Sequence, residues 1–402
     1  MIAHTLFVVG AGWQAALMAP IETLAQQHFK NLCDLISNMP APLRPKAALL
    51  TGSTKTAAKR DLLRRLATGD LQILVGTHAL LSEGVDFQKL GLAVIDEQQK
   101  FGVRQRERLQ RGDISSPHIL MTTATPIPRT LALALHGTMV ISCIKSMPPG
   151  RLPVQTTVVN DEDPQAVAQW QAETNKELDA GGRAFIVYPL IEESTSEGME
   201  SVKAAEEEYE RMKESRIFGN RQIVLMHGRM SSEEKSERMR AFVDGIAPVM
   251  VSTTVIEVGM DVREASIMVV NNADRFGLAQ LHQLRGRVGR GSRQSKCFLV
   301  SNGGEKALGR LKVLEISNDG HKIAEADLRI RGAGELLGSK QSGFMGMYTL
   351  TAADLITEGP LMDEARTAAA QILAASGGQI PQGLQKIMEV QGLLLSEDSE
   401  LC

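Results

Sequence analysis

The sequence predicts an α/β protein of two lobes, each a parallel β-sheet covered by helices. Short apolar runs at 73–75, 92–95, 119–121, 184–187, 223–226, 249–251, 267–270 and 297–300 alternate with stretches of helical pattern, as parallel strands joined by helices require. These runs are continuously apolar rather than alternating, which marks strands buried on both faces. Between the third and fourth run lies Ser146-Met-Pro-Pro-Gly-Arg-Leu-Pro153, whose three prolines and glycine exclude helix and favour an extended linker. The expected division is a first lobe over 1–145, a hinge at 146–153 and a second lobe over 154–304.

Taken in order, residues 1–20 are apolar but lack a basic leading region and contain His4, Gly10, Gly12 and Gln14, so they do not read as a signal peptide. They read as a helix end, a Gly-Ala-Gly turn and a strand from Gln14 to Met18. Ala19-Pro20-Ile21-Glu22 then forms a strand-to-helix turn, and backbone amides at such a helix start can hold a phosphate. Thr51-Gly52-Ser53-Thr54-Lys55-Thr56 is not a phosphate loop, because that motif needs Gly-x-x-x-x-Gly-Lys-Ser/Thr and the chain contains no Gly-Lys pair. The run Leu92-Ala-Val-Ile95 ends in Asp96-Glu97, a carboxylate pair at the carboxyl end of a buried strand, where α/β sheets place their chemistry. In a nucleoside triphosphatase the first such acid holds Mg²⁺ and the second takes a proton from the attacking water. The acid-rich segment 192–214 reads as a loop entering a solvated helix. Residues 351–402 have an Ala-rich helical pattern with 8 acids and 2 bases.

With 402 residues, 43% hydrophobic and 23% charged, the chain has the composition of an ordinary soluble protein with room for two or three cores. Cys33, Cys143, Cys297 and Cys402 form no Cys-x-x-Cys pair, which excludes the usual zinc and disulfide frameworks and suits a reducing cytoplasm. The net charge of −3 is unevenly spread: residues 1–150 carry 16 Lys+Arg against 10 Asp+Glu, a balance of +6, and the remainder carries −9. A modestly basic first part suits a phosphate backbone without specifying one.

Asp96-Glu97-Gln98-Gln99-Lys100-Phe101-Gly102-Val103-Arg104-Gln105-Arg106 closely resembles the Walker B region of the RecG family, bacterial DNA helicases that remodel branched DNA. Similar segments recur in register over roughly residues 11–350. The resemblance implies two RecA-like lobes with parallel sheets, a helical translocation element over 305–350 and a short helical tail over 351–402. It implies ATP and Mg²⁺ as cofactors, with Asp96 the metal-holding acid and Glu97 the proton acceptor. The segments around Pro20, Thr51-Gly52 and Gly76-Thr77-His78 are similar to the family's strand-gripping motifs, which makes Pro20, Thr51, Gly52, Thr77 and His78 expected DNA contacts. Met121-Thr122-Thr123-Ala124-Thr125-Pro126 resembles the segment linking nucleotide and DNA sites, so Thr123 and Thr125, with Gln99, are expected to couple them. At Gln99 the RecG family usually has His and the transcription-repair coupling translocases have Gln.

In the second lobe, Thr253-Thr-Val-Ile-Glu-Val-Gly259-Met-Asp261 resembles the segment that contacts both ligands, with Thr253 on DNA and Gly259 and Asp261 on nucleotide. Gly277-Leu-Ala-Gln-Leu-His-Gln283-Leu-Arg285-Gly-Arg287-Val-Gly-Arg290 is similar to the segment in which Gln283 faces the nucleotide and Arg287 and Arg290 are arginine fingers. A guanidinium suits that role because its forked donors are fixed in one plane. Asp327-Leu-Arg329-Ile-Arg331 and the residues up to Gly343 resemble the translocation motif, which makes Arg329 and Arg331 DNA contacts. The family's Walker A loop and wedge domain have no counterpart here, so the chain reads as an amino-terminally truncated motor with negligible ATPase of its own. The implied function is ATP-dependent remodelling of forks and junctions in recombination and repair, by a monomer on branched or double-stranded DNA, with no membrane involved. Two other readings stay open. One is a non-catalytic DNA-binding remnant, which the missing loop favours. The other is a coupling translocase, against which Pro148-Pro149-Gly150-Arg151, Val258 and His282 weigh.

Overall fold

Each lobe owes its core to strands whose successive side chains point into two different helix layers. In the computed structural model, which describes residues 1–82, 84–97, 117–123, 142, 144, 150–189, 197–253, 262–291, 293–331 and 359–390, the first sheet has five parallel strands. In chain order the elements are Ile2–Gly10 (α1), Gln14–Met18 (β1), Glu22–Ser37 (α2), Ala47–Leu50 (β2), Thr56–Ala67 (α3), Ile73–Gly76 (β3), Leu90–Ile95 (β4) and His118–Met121 (β5). The sheet order is β2-β3-β1-β4-β5. Ala16, Met18, Leu74, Ala93 and Ile95 pack on one face with Leu62, Leu66 and Leu80, while Ala15, Leu17, Ile73, Val75, Leu92 and Val94 pack on the other with Leu32. This division by odd and even positions explains why the strands read as unbroken apolar runs. Burial of each Leu, Ile or Val side chain stabilises the lobe by roughly 1.5–3 kcal/mol before chain entropy is counted.

One polar residue sits in this apolar layer. The Gln14 side chain is buried, donating from Nε2 to the carbonyls of Leu66 (2.8 Å) and Leu71 (2.7 Å) and accepting from the Lys89 amide at 2.8 Å. It ties the end of α3 and the entries of β3 and β4 to the start of β1. The helix end expected before β1 is α1, and the strand from Gln14 to Met18 is present. β2 escaped the sequence reading because Ala47-Ala-Leu-Leu50 is short and half alanine, and its place at the sheet edge asks for less apolar bulk.

The second sheet has six parallel strands in the order β6-β11-β10-β7-β9-β8. Its elements are Gln155–Asn160 (β6), Pro164–Asp179 (α4), Arg183–Val187 (β7), Glu197–Ser215 (α5), Ile223–Met226 (β8), Ser232–Val243 (α6), Val249–Ser252 (β9), Ala265–Val270 (β10), Leu278–Arg285 (α7) and Lys296–Ser301 (β11). β6 was not foreseen, since Gln155-Thr-Thr-Val-Val-Asn alternates as an edge strand does. Helix starts follow local chemistry: Asp163 caps α4 by accepting from the Gln165 and Ala166 amides, with Pro164 at the first helical position. Ser231 and Glu234 form a reciprocal capping box on α6. From Glu197 onward the acid-rich segment is the expected helix, with 192–196 outside the described residues, but it is not wholly solvated: Ala205 and Met212 of α5 are buried in the core with Ile186, Val251 and Phe218. Its charges occupy the remaining faces.

Two compact units account for the chain. One comprises 1–124, 152–273 and 283–302 and contains both sheets; the other comprises 125–151, 274–282 and 303–402. The second includes Gly304–Ile316 (α8), Gly320–Arg331 (α9), Gly359–Ala375 (α10) and Gln382–Val390 (α11). Within it, Arg310 Nη2 donates to the carbonyls of Asp274 (2.6 Å) and Phe276 (2.9 Å), and the Leu278 amide donates to Asp327 Oδ1 at 3.3 Å. The α8–α9 pair thus fastens the entry to α7. Residues 146–149 of the expected hinge and 332–350 of the expected translocation element lie outside the described residues.

Gly76 closes β3 where the backbone of β2 comes nearest. A Cβ there would stand 2.0 Å from the Leu50 carbonyl oxygen and 2.3 Å from Leu80 Cδ1, and the carbonyl cannot swing away without breaking the β2–β3 pairing. Gly76→Ala is expected to destabilise the first lobe by about 1–3 kcal/mol. Urea unfolding checks this, and an unchanged midpoint contradicts the close approach.

Candidate nucleotide and nucleic-acid site

The carboxyl edge of the first sheet is set by backbone bonds. The Asp96 amide donates to the Met18 carbonyl at 2.9 Å, and the Thr122 amide donates to the Ile95 carbonyl at 2.9 Å. Asp96 and Thr122 therefore follow adjacent strands at the same edge. Asp96 Oδ1 accepts from Thr122 Oγ1 at 2.5 Å and from the Glu97 amide at 3.1 Å, while Oδ2 lies 2.8 Å from His28 Nε2. The His28 and Asp96 side chains are only 13% and 15% exposed, so water competes little for these bonds. Burial by itself pushes the Asp96 carboxyl up, but the hydrogen bonds from His28 and Thr122, the charge of His28 and the Glu97 amide together hold it below the usual carboxylate range. Asp96 is thus a carboxylate, which only accepts, so His28 Nε2 carries the hydrogen. Glu97, whose amide donates to Asp96, adopts a left-handed φ of 52°, uncommon for a residue with a side chain.

Thr122 Oγ1 also lies 3.6 Å from Met1 Sδ. The ionised carboxylate offers a hard oxygen for a divalent cation. Among the described residues no three His, Cys, Asp or Glu side chains converge as a metal cage. That donor set fits Mg²⁺, which is commonly held by one or two carboxylates together with substrate phosphates and water.

A second cluster lies at the start of α2. Glu22 Oε1 accepts from Thr51 Oγ1 at 3.1 Å and from Ser53 Oγ, and the Thr51 amide donates to Thr54 Oγ1 at 3.0 Å. The turn at 51–54 is thereby tied to the helix that follows Pro20. Thr51 and Thr77 are buried, at 5% and 4% exposure, so neither presents a free side chain for the strand contacts expected of them. Gly52, Ser53 and His78 are exposed.

On the second sheet Thr253 continues β9, its amide donating to the Met226 carbonyl at 3.3 Å; its hydroxyl is buried and has no hydrogen-bond partner among the described residues. Gln283 lies on α7 and is half-buried. The turns after α7 place Arg287 and Arg290, with the Arg287 amide donating to the Leu284 carbonyl at 2.9 Å and Arg290 Nε to the Gly286 carbonyl at 3.4 Å. Arg329 is exposed on α9, which ends at Arg331. Gln99, Thr125, Gly259 and Asp261 lie outside the described residues. Glu22, His28, Ser53, Thr54 and Thr122 belong to these clusters without having been singled out as site residues from the sequence. The hydroxyl that bonds Asp96 is that of Thr122, while the neighbouring Thr123 is exposed. Only the Thr-Thr repeat at a strand end pointed toward it.

Two parallel α/β sheets, one with an Asp-Glu pair at the carboxyl end of β4 and the other with Gln283, Arg287 and Arg290 between β10 and β11, define the class as a two-lobe helicase core with RecA-like lobes. Family comparisons agree: the DEAD/DEAH box helicase family matches residues 2–134, the helicase conserved C-terminal domain matches 173–292, and the C-terminal part of domain 3 of the ATP-dependent DNA helicase RecG matches 317–388. The chain is 51% identical to an ATP-dependent DNA helicase RecG of Synechocystis, over 84% of this chain and 39% of that protein. It is 43% identical to a RecG of Streptococcus pneumoniae, over 92% of this chain and 53% of that one. The structure of a RecG bound to a three-way DNA junction superposes with a TM-score of 0.66 at 41% identity, covering 87% of this chain and 44% of the other. The chain belongs to the RecG family of helicases, and it spans about two-fifths to one-half of the length of these relatives. No described helix is long and apolar enough to cross a membrane.

The lowered Asp96 pKa has a definite sign in stability. A carboxyl depressed in the folded state contributes stability above its unfolded value and loses it as pH falls through the folded value. The stability gap between the wild type and Asp96→Asn is expected to be full above about pH 5 and to close in acid. Urea midpoints across pH 7 to pH 2 measure it, and a gap that widens in acid contradicts the assignment.

Proposed function

We propose that this chain is the motor portion of a RecG-type, ATP-dependent helicase that translocates on double-stranded DNA and remodels forks and junctions. The observation that carries the reading is Asp96, ionised and held on both oxygens at the carboxyl end of β4. Mg²⁺·ATP, when bound, supplies the phosphoanhydride whose hydrolysis drives the motor. Asp96 offers the metal a fixed hard oxygen, and Glu97, turned out of the strand by its left-handed φ, accepts the proton of the attacking water. Arg287 and Arg290 supply fixed positive charge where charge builds on the transferred group. Gln283, Gly259 and Asp261 line the nucleotide from the second lobe, and Gln99, Thr123 and Thr125 relay its state. DNA is held mainly by backbone amides and small residues around Pro20, Thr51-Gly52, Thr77-His78 and Thr253, with Arg329 and Arg331 on the duplex. Such contacts grip phosphates and read no sequence. Support comes from the three family matches, which follow one another along the chain, and from the RecG relative solved on a three-way junction.

Residues 1–402 contain no Gly-Lys pair and hence no Walker A sequence. Phosphoryl transfer depends on positioning and charge stabilisation, so the chain assayed alone is expected to show negligible DNA-stimulated ATPase. Joined in frame behind the Walker A segment of a RecG relative, it is expected to hydrolyse ATP. In that fusion Glu97→Gln should abolish turnover yet leave nucleotide binding, and Arg290→Ala should cost about a thousandfold. Robust hydrolysis by the unjoined chain, or a fusion indifferent to both substitutions, overturns the reading.

Branched DNA should bind the chain with an affinity that falls steeply as salt rises, because phosphate contacts release counterions. Fluorescence anisotropy at 50 and 200 mM salt measures this. Binding insensitive to salt would refute phosphate-dominated recognition.

A further inference from the structure

We infer that His28 is a positioning residue for the metal-binding carboxylate Asp96. This rests on the proposed reading of Asp96 as the Mg²⁺ ligand. The imidazole Nε2 reaches Asp96 Oδ2 at 2.8 Å from the second turn of α2, while Oδ1 is taken by the Thr122 hydroxyl and the Glu97 amide. Both oxygens of one carboxylate are therefore fixed by donors from three different elements. The two bonds to Oδ1 come from residues that flank the sheet edge. The bond to His28 holds the second oxygen, adding a third donor against the rotation about Cβ–Cγ that would carry both oxygens off their partners. A metal-bound carboxylate whose orientation is set by an outer hydrogen bond binds more tightly, because the ordering is complete before the metal arrives.

The carrier of this group matters as much as its reach. The same helix begins at Glu22, which accepts from Thr51 and Ser53 and so orders the turn assigned to the DNA strand. Glu22 and His28 are six residues apart on one continuous helix, whose buried Ala25 and Leu32 pack on the sheet. A helix of this length moves as a rod, so the strand-contacting turn and the metal carboxylate are tied to one body.

The test is Mn²⁺ binding to the chain joined behind the Walker A segment of a RecG relative, read by electron paramagnetic resonance of the free ion with ADP present; that fusion without further substitution is the wild type. Four proteins are compared: wild type, Asp96→Ala, His28→Leu, which fills the space without a donor, and His28→Gln, which keeps an N–H donor. The expected result is Mn²⁺ binding that Asp96→Ala abolishes, that His28→Leu weakens by about tenfold to a hundredfold, and that His28→Gln largely restores. Thermal unfolding of the same proteins separates packing from positioning, since a purely structural role lowers both His28 variants in stability and leaves the affinity of the folded fraction unchanged. If His28→Leu binds Mn²⁺ as the wild type does while Asp96→Ala does not, the inference falls and the reading of Asp96 stands. If the wild type shows no Asp96-dependent Mn²⁺ binding, both fall.

Discussion

The hydrogen bond from the Asp96 amide to the Met18 carbonyl is the constraint on which the first lobe's chemistry depends. It holds β4 in register with β1, and that register brings Asp96 out of the sheet at the level where Thr122 leaves β5. A slip of one residue would turn Asp96 into the apolar layer of Ala93 and Ile95 and expose an aliphatic side chain in its place. The apolar packing on both faces thus selects the register, and the register selects which side chain stands at the edge. Gln14 contributes from the opposite end by pinning the start of β1 to the chain on either side.

The cost of holding an ionised group at a nearly buried edge is met by donors rather than by solvent. Desolvation alone would drive the Asp96 carboxyl toward its neutral form, and hydrogen bonds to a charged acceptor, worth roughly 1.5–3 kcal/mol each, outweigh it. An acid so held is charged throughout the physiological range and does not have to lose a proton before it meets a cation. The Glu97 amide serves Asp96, and Glu97 itself takes a left-handed φ at the end of the strand.

The expected DNA-contacting residues divide in a similar way between buried and exposed. Thr51 and Thr77 face inward, where the Thr51 hydroxyl bonds Glu22, while Gly52, Ser53 and His78 face outward. A hydroxyl residue in such a motif shapes the turn, and the backbone it shapes is what a strand can meet. Gly76, which allows the approach of β2, belongs to the same logic, since a side chain there would push the turn out of place.

The sequence by itself determined the strands of both sheets wherever they are central, because burial on two faces demands an unbroken apolar run that nothing else in a soluble chain imitates. It also determined the Asp-Glu pair and the Gln-Arg-Arg segment, whose spacing along the chain is local and survives any packing. Edge strands 47–50 and 155–160 were not legible, since a half-covered strand needs little apolar content. Nor was the buried face of the acid-rich helix, where Ala205 and Met212 are too few to outweigh the surrounding charge in a linear reading. Only the tertiary structure decided that His28, 68 residues from Asp96 in sequence, bonds it, and that Thr122 rather than its neighbour Thr123 is the hydroxyl on that carboxylate. Such pairings depend on helix phase and strand register together, and a hydrogen bond closes over a few tenths of an ångström that no linear pattern encodes.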